Sequence, residues 1–502
     1  MIQGTYLLIC AAGYFALLLL LSYLTSRRAD NDAFFRGNRT SRWWAVAFGM
    51  IGASISGVSF ISVPGMVMSQ DMTYLQMCLG FIVGYFIVAF LLLPIYYKLR
   101  LTTIYSYLGR RLGQNSYTTG ASFFLLSKMS GAVVRFYIAC KLLHYYALTQ
   151  YDIPFSLTVL MLVLFIWIYT HRGGIRTLVW TDTIQTAVMF ITLFLIIYAV
   201  ISRLDVSLPE AVSAIASHQN SRIFVFDDWH STQNFFKQFL SGIFVVIVMT
   251  GFDQDMMQKS LTCPSLRDSQ KNICSYAFAF LPANILFLSL GILLMILASQ
   301  TGTPLPASGD DLLPMFAATG MLGQAVVAFF AIGLIAAAFS SADSAITALT
   351  TSVCIDILRR PEDERTRRTA HLFITAAFIL FWREVIKSAY NTYLLKQRGK
   401  EIPSFIDDIK SLFDTNLHKT LMALPLIGIV VFTVMPLFFM ILMAFTNYDR
   451  DHPVPGKLFD WVGLENFGRI FNAQSSLGRT FWPVLGWTIV WAIFATFLNY
   501  IM

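Results

Sequence analysis

The sequence predicts an all-α protein that crosses a membrane many times. Two observations support this prediction: 56% of the 502 residues are hydrophobic while only 13% are charged, and the apolar residues form runs long enough to span a bilayer. The net charge of +8 does not indicate a nucleic-acid partner, because the Lys and Arg residues lie in short segments between apolar runs, where they set orientation. We expect membrane lipid around the chain and no nucleic acid.

Nine apolar segments are predicted to be membrane-spanning helices. Every second connection between them is rich in Lys and Arg, from the loop that carries Arg27, Arg28 and Arg36 to the one that carries Lys259, Arg267 and Lys271. Because basic loops stay in the cytoplasm, the N-terminus is predicted to lie outside, in a bacterial-type plasma (inner) membrane. The predicted spans cover residues 5–24, 43–69, 73–97, 117–147, 155–171, 176–202, 235–258, 274–299 and 325–357.

The second predicted span contains residues that disfavour a regular helix. Gly49, Gly52, Gly57 and Pro64 alternate there with several serines. We expect this helix to loosen near the middle of the membrane and to expose backbone carbonyls, which transporters use to hold ions and substrate. A kinked helix that serves only for packing is the alternative.

The sixth and ninth predicted spans carry acidic residues inside the membrane. Asp182 follows the start of the sixth span, GGIRTLVWTDTIQT, and a buried carboxylate needs a cation, a proton or an Arg partner. In the ninth span Asp343 borders a helix face of small residues that suit Na⁺ better than a mere packing seam, which would not need Asp343. The residues of that face are Ala337, Ser340, Ser341 and Ser344.

Three separated motifs resemble the sodium:solute symporter family, and sialic acid symporters in particular. They are GGIRTLVWTDTIQTAVMF, then GFDQDMMQKSLTCPSLRDSQKNI, and then AAAFSSADSAITALTTSVCIDIL. The resemblance covers residues 1 to about 380. It implies an inverted-repeat core of five plus five helices with an extra N-terminal helix, truncated here after its eighth or ninth helix. It also implies breaks in the helices at 43–69 and 235–258, around a central solute site.

The resemblance further implies two sodium sites, with the sodium ion as the only metal. The first is expected between the first and eighth core helices and uses Gly52, Ile55, Ala337, Ser340 and Ser341. The second is expected between the fifth and eighth core helices and uses Asp182, Ser340, Asp343 and Ser344. Asp343 stands where a serine is expected, and its extra carboxylate would either tighten the ion or let a proton replace it.

The predicted solute is a small organic anion such as sialic acid. Arg135 is predicted to lie at membrane depth and resembles the carboxylate-binding Arg of sialic acid symporters. An Arg side chain can bind a carboxylate in a bidentate fork. A neutral sugar is disfavoured. Sugar-carrying members use acidic and amide side chains on the first core helix and a Tyr gate on the sixth, whereas the positions that look equivalent here hold Val58 and Ser59, then Val246 and Met249. The other predicted solute contacts are Ser54, Ser56, Ser59 and Gln76. Internal pairing of Arg135 with Asp182, or snorkelling, is the alternative.

The last quarter of the chain resembles a different protein. Residues 383–502, which include WVGLENFGRIF, resemble the N-terminal half of a maltose/maltodextrin-type ABC permease. The preceding apolar run, 369–382, is too short to span the hydrocarbon core. We therefore predict three parts: a C-terminally incomplete symporter domain at 1–381, which needs no ATPase subunit, a charged amphipathic cytoplasmic-type segment at 382–419, and a permease-like transmembrane fragment at 420–502.

Taken together, these features predict a sodium-coupled secondary active transporter that imports a small organic solute by alternating access. The chain is not expected to be an enzyme, because it has no nucleotide loop, nucleophile elbow or HExxH motif. Two alternatives are a membrane permease subunit of an ATP-driven sugar importer and a non-functional chimera of symporter and permease.

Overall fold

The computed structural model is helical throughout the residues it describes, as predicted. These are residues 2–27, 29–144, 153–360, 362–397, 440–441, 443–447, 461–472 and 476–501. Within them no strand is formed, and the β-structure is an isolated antiparallel bridge between Thr446 and Trp461. The chain divides into two compact units, Met1–Asn391 and Thr392–Met502.

The described helices follow the predicted spans. In chain order they are α1 (Ile2–Ser26), α2 (Asn31–Arg36), α3 (Trp43–Ser54), α4 (Gly57–Gly65), α5 (Val67–Gln70), α6 (Tyr74–Ile87), α7 (Leu93–Lys98), α8 (Ser106–Leu112), α9 (Gln114–Leu143), α10 (Phe155–Thr170), α11 (Ile175–Leu204), α12 (Leu208–Ser217), α13 (Phe235–Val246), α14 (Gln254–Ser260), α15 (Leu266–Thr301), α16 (Leu312–Ala317), α17 (Gln324–Ser352), α18 (Glu364–Gln397), α19 (Glu465–Phe471) and α20 (Ser476–Ile501). Three π-helical turns continue α6, α13 and α17.

The number of long apolar helices confirms a multi-pass membrane protein. In the described part of the chain, five helices are long and apolar enough to cross a membrane, or seven spans if each of two bent helix pairs counts as one. Two further predicted spans form helices that are too short or too charged to meet this criterion of length and hydropathy. α10 has only 16 residues, and α9 carries Lys128, Arg135 and Lys141 along its length.

The first bent pair lies in the glycine-rich second span. α3 and the helices that follow it meet at an angle of 66°. Ile55 is the first residue after α3, and Ser56 begins the next helix by accepting a hydrogen bond from the backbone N–H of Ser59 at 3.4 Å. The side chain therefore replaces a backbone partner that the break removes.

The second bent pair joins α13 to α14 at an angle of 73°. The Tyr96 hydroxyl donates to the Gly251 carbonyl at 2.9 Å, so the end of the first half has a partner. Asp253 then caps α14 by accepting from the Met256 N–H at 3.1 Å. At both breaks side chains thus act as partners for backbone groups near the interruption, as a break inside a membrane requires.

The glycine contact between α6 and α13 yields a stability prediction. A Cβ added at Gly80 would lie 2.1 Å from the Phe239 carbonyl oxygen, so Gly80→Ala is expected to push the two helices apart at a cost of about 1–3 kcal/mol. The measurement is the melting temperature of the purified chain in detergent. Gly13→Ala on α1 is the matched control, because its added Cβ meets nothing within 4 Å. Equal melting temperatures for the two variants would contradict the packing described here.

The structure differs from the sequence interpretation at residues 369–382. The sequence suggests an apolar run that is cut off at this point, but α18 continues from Glu364 to Gln397. Its buried hydrophobic residues recur every fourth position along one helix face: Ala370, Ile374, Phe378 and Trp382. Residues 398–439, which include most of the predicted amphipathic segment, lie outside the described residues.

Candidate functional site

A cavity of about 860 Å³ lies where the two helix breaks face α9. Its volume is in the range of small-molecule sites. Aromatic side chains from α6 and α15 form part of its wall, and α9 contributes residues between Gly120 and Arg135. The charged residues that line it are Lys128, Arg135, Asp253 and Asp255.

Four of the five predicted solute contacts line this cavity, namely Ser54, Ser56, Ser59 and Arg135. The Ser54 hydroxyl is hydrogen-bonded to the Tyr276 hydroxyl, which in turn accepts from Tyr85 at 2.8 Å. Arg135 is half-buried, and no residue in the described part of the chain forms a hydrogen bond or ion pair with it. Its guanidinium donors are therefore available to a ligand.

Gln76, the fifth predicted solute contact, lies outside the cavity. Its Nε2 donates to the Gln233 carbonyl at 2.9 Å, and its Oε1 accepts from the Val225 N–H at 3.1 Å. The buried amide thus holds the segment between α12 and α13 in place. The structure therefore does not bring Gln76 to the cavity with the other four predicted contacts, because both ends of its amide are occupied by backbone groups.

The residues of the predicted first sodium site lie where α3 ends beside α17. A Cβ added at Gly57 would be 3.3 Å from the Cβ of Ala338, so the break after Ile55 rests against the middle of α17. Ser341 lines the cavity, and its hydroxyl is 3.5 Å from the Ala337 carbonyl. The residues of this site are all buried: Gly52, Ile55, Ala337, Ser340 and Ser341.

Glycines bring α3 close to α11 at the same level. A Cβ added at Gly52 would lie 2.1 Å from Thr186 Oγ1, and one added at Gly49 would lie 3.0 Å from the Cβ of Asp182. The backbone of α3 can therefore approach α11 only without side chains at these two positions. This contact places the end of α3 next to the acidic residue of the predicted second sodium site.

The predicted second sodium site is buried between α11 and α17. Asp182 Oδ1 accepts from the Ser340 hydroxyl at 2.6 Å. Asp343 Oδ1 accepts from the Ser344 N–H at 2.6 Å, and its Oδ2 accepts from the Tyr169 hydroxyl at 2.5 Å. The Ser344 hydroxyl has no hydrogen-bond partner among the described residues. Two carboxylates and two hydroxyls thus lie in a region closed to solvent.

Lys259 is a buried charged residue of the candidate site that the sequence interpretation missed. It counts there as one of the cations of a cytoplasmic loop, but the structure places it on α14 with 1% of its surface exposed. Its Nζ lies 2.8 Å from Asp182 Oδ2 and 3.8 Å from Asp255 Oδ1. The i, i+4 spacing of Asp255 and Lys259 within QDMMQK was the available signal. Asp182 therefore pairs with Lys259, and the alternative pair with Arg135 is wrong.

A series of ion pairs connects this buried region to the cavity. Lys128 on α9 lies 2.9 Å from Asp255 Oδ2 and 3.1 Å from both oxygens of Asp253. Since Asp255 is also near Lys259, the charges alternate in sign from Asp182 to the cavity wall. Buried charges at this depth require such compensation.

Two broken helices around a polar central cavity are typical of secondary transporters. The fold and the site together therefore define a helical membrane protein of the transporter class.

The chain belongs to the sodium:solute symporter family, whose model matches residues 34–387. The match confirms the resemblance inferred from the three motifs, and it confirms sodium as the coupling ion.

Individual relatives agree with this assignment. The chain is 27% identical to the sodium/sialic acid symporter SiaT of Proteus mirabilis over 387 residues, which cover 73% of this chain and 75% of SiaT. It is 24% identical to the sodium/sialic acid symporter NanT of Aliivibrio fischeri, over 76% of this chain and 74% of NanT. The fold resembles a solved structure of a Na⁺-coupled sialic acid symporter with a TM-score of 0.69 and 22% identity, over 77% of this chain and 83% of that one.

A second similarity involves a shorter part of the chain. Over 137 residues, or 27% of this chain, the sequence is 32% identical to the maltodextrin transport system permease protein MalC of Streptococcus pneumoniae. The match covers 31% of MalC. The predicted resemblance to a maltodextrin-type permease is therefore confirmed as a similarity to part of such a protein.

Proposed function

We propose that this chain imports a small organic anion together with sodium by alternating access, with sialic acid as the first candidate solute. The observation that supports it best is Arg135, an unpaired guanidinium among the described residues that faces a cavity of ligand size. A guanidinium binds a carboxylate through two parallel hydrogen bonds. Ser54, Ser56 and Ser59 would add hydroxyl contacts on the broken helix, and the sialic acid relatives support the choice of solute.

In this proposal the first sodium site joins the broken helix to α17. The Gly52, Ile55 and Ala337 carbonyls and the Ser340 and Ser341 hydroxyls would bind the ion where α3 ends. Binding would fix α3 against α17 and complete the adjacent solute site, so that each ligand raises the affinity for the other. Asp182, Ser340, Asp343 and Ser344 would form the second site.

The proposal extends to topology and domain organisation. Basic loops support a bacterial-type plasma membrane location with the N-terminus outside. The two bent pairs support an inverted-repeat core in residues 1–381. That this core is truncated after its eighth or ninth helix rests on the sequence resemblance alone. Residues 382–419 and 420–502 would form an amphipathic segment and a permease-like fragment.

A permease subunit of an ATP-driven sugar importer is the second candidate function, supported by the similarity to MalC. The two candidates differ in energy source. An ATP-driven importer would need an ATPase subunit, whereas the proposed symporter would use the sodium gradient alone.

The proposed function is tested by ligand binding to the purified full chain. We expect sialic acid to raise the melting temperature in sodium chloride and to have little effect in choline chloride, because sodium completes the solute site. A neutral hexose should give no shift in either buffer. Equal stabilisation by the hexose, or stabilisation by sialic acid that is independent of sodium, would contradict the proposal.

Ser341→Ala tests the first sodium site. We expect about a tenfold rise in the sodium concentration that half-saturates uptake, since one ligand is lost, with a smaller change in solute affinity at saturating sodium. Ser130→Ala on α9 is the control, because Ser130 belongs to neither predicted sodium site and its hydroxyl donates to the Leu126 carbonyl of its own helix. Similar sodium curves for both variants would exclude Ser341 as a ligand.

A further inference from the structure

The charge of Asp182 is balanced in this structure by the chain itself. Lys259 reaches from α14 to place its ammonium 2.8 Å from Asp182 Oδ2, while the other oxygen accepts from Ser340. Both side chains are almost completely buried, so water does not screen the pair. The position beside Asp182 that a sodium ion would need is thus already next to a fixed positive charge.

A second acceptor for the same ammonium lies close by. Asp255 Oδ1 is buried, has no hydrogen-bond partner among the described residues, and is 3.8 Å from Lys259 Nζ. The other oxygen, Oδ2, already pairs with Lys128 at 2.9 Å. Asp182 Oδ2 and Lys259 Nζ also lack a hydrogen bond of good geometry among the described residues, so the two acceptors differ in distance, 2.8 Å for Asp182 and 3.8 Å for Asp255. A short movement of the ammonium would bring it to Asp255.

We propose that Lys259 is a tethered counter-ion that competes with sodium for Asp182 and moves toward Asp255 when sodium binds. This inference rests on the proposed function, because it assumes a sodium ion at the second site. A sodium ion bound between Asp182 and Asp343 would lie close to the Lys259 ammonium, and two such cations repel each other strongly in a medium of low dielectric, so occupancy by sodium disfavours the Asp182 pair of Lys259. Asp255 Oδ1, which lacks a hydrogen bond among the described residues, then accepts a hydrogen bond from the ammonium.

The exchange would link the sodium site to the solute cavity. In its Asp182 position Lys259 ties the second broken helix, through α14, to α11. In its Asp255 position the ammonium stays on α14, so the tie is released. It also shares Asp255 with Lys128, a residue of the cavity wall. Sodium binding would therefore break the ion pair between α14 and α11 and would also change the charges that face the solute.

The competition predicts opposite effects for two substitutions. Lys259→Gln removes the competing charge and is expected to lower the half-saturating sodium concentration about tenfold. Asp255→Asn weakens the second acceptor, keeps the ammonium on Asp182, and is expected to raise that concentration several-fold. Lys237→Gln is the control, because Lys237 is a surface lysine whose ammonium lies over the Trp229 ring. It should leave the value unchanged.

The measurement is the melting temperature of the purified full chain, titrated with sodium chloride against choline chloride at constant ionic strength. If Lys259→Gln binds sodium with unchanged or lower affinity while the unsubstituted chain binds it normally, Lys259 is only a structural partner and the inference is wrong. If the unsubstituted chain shows no sodium response, the proposed function fails. If Lys259→Gln does not fold, Asp255→Asn decides: a higher half-saturating concentration supports the competition, and an unchanged or lower one overturns it.

Discussion

Replacing Arg135 with Gln is expected to lower the affinity for the organic anion by about two orders of magnitude. The substitution removes the unpaired guanidinium of the cavity wall, and loss of a charged partner of a bound carboxylate costs about 2–5 kcal/mol. The measurement is the solute concentration that half-saturates the melting-temperature shift in saturating sodium. The solute affinity of Arg135→Lys should lie between those of the unsubstituted chain and Arg135→Gln, because lysine keeps the charge but loses the bidentate geometry.

Measuring sodium binding by Arg135→Gln distinguishes a specific loss of solute affinity from a general loss of structure. No residue of the two predicted sodium sites is paired with Arg135 in the described part of the chain, so Arg135→Gln should retain the sodium-dependent shift. Solute affinity that is unchanged in Arg135→Gln would contradict the proposed solute site. It would also remove the main reason for preferring an anion.

Lys259→Gln is expected to destabilise the protein markedly in sodium-free buffer. Without the ammonium, the buried carboxylate of Asp182 keeps only its hydrogen bond from Ser340, and breaking one side of a buried ion pair costs about 3–5 kcal/mol. The melting temperature in choline chloride measures the loss. Sodium should restore much of it, because the ion can then compensate Asp182.

The double variant Asp182→Asn, Lys259→Gln is the matched control for this prediction. It removes both charges and keeps amides of similar size, so it should be more stable than Lys259→Gln alone in choline chloride. It should also lose the rescue by sodium, since the carboxylate is gone. A double variant that is less stable than Lys259→Gln would show that the ion pair is not the source of the effect.

Local pattern was sufficient to predict most of the fold. Apolar runs located the helices, and glycines with serines in the second span marked the break after Ile55, because both features depend on nearby residues. The end of the apolar run at Trp382 was misleading for the same reason. The charged residues that follow still favour helix, and α18 continues through them.

The sequence pattern did not predict which residues, distant along the chain, are the partners of the buried polar side chains. Gln76 was predicted to contact solute, yet its amide is occupied by backbone groups of Val225 and Gln233. Lys259 was counted with loop cations, yet it is buried against Asp182 on another helix. A polar residue in a membrane span indicates that a partner exists, but the packing of the helices decides which partner it is.

The central claim is sodium-driven transport, and uptake by the full 502-residue chain in proteoliposomes tests it most directly. With an inward sodium gradient, radiolabelled sialic acid is expected to accumulate inside above its outside concentration, and the accumulation should collapse when the gradient is dissipated. Uptake that continues unchanged after complete replacement of sodium by choline, with no dependence on a proton gradient either, would contradict the account.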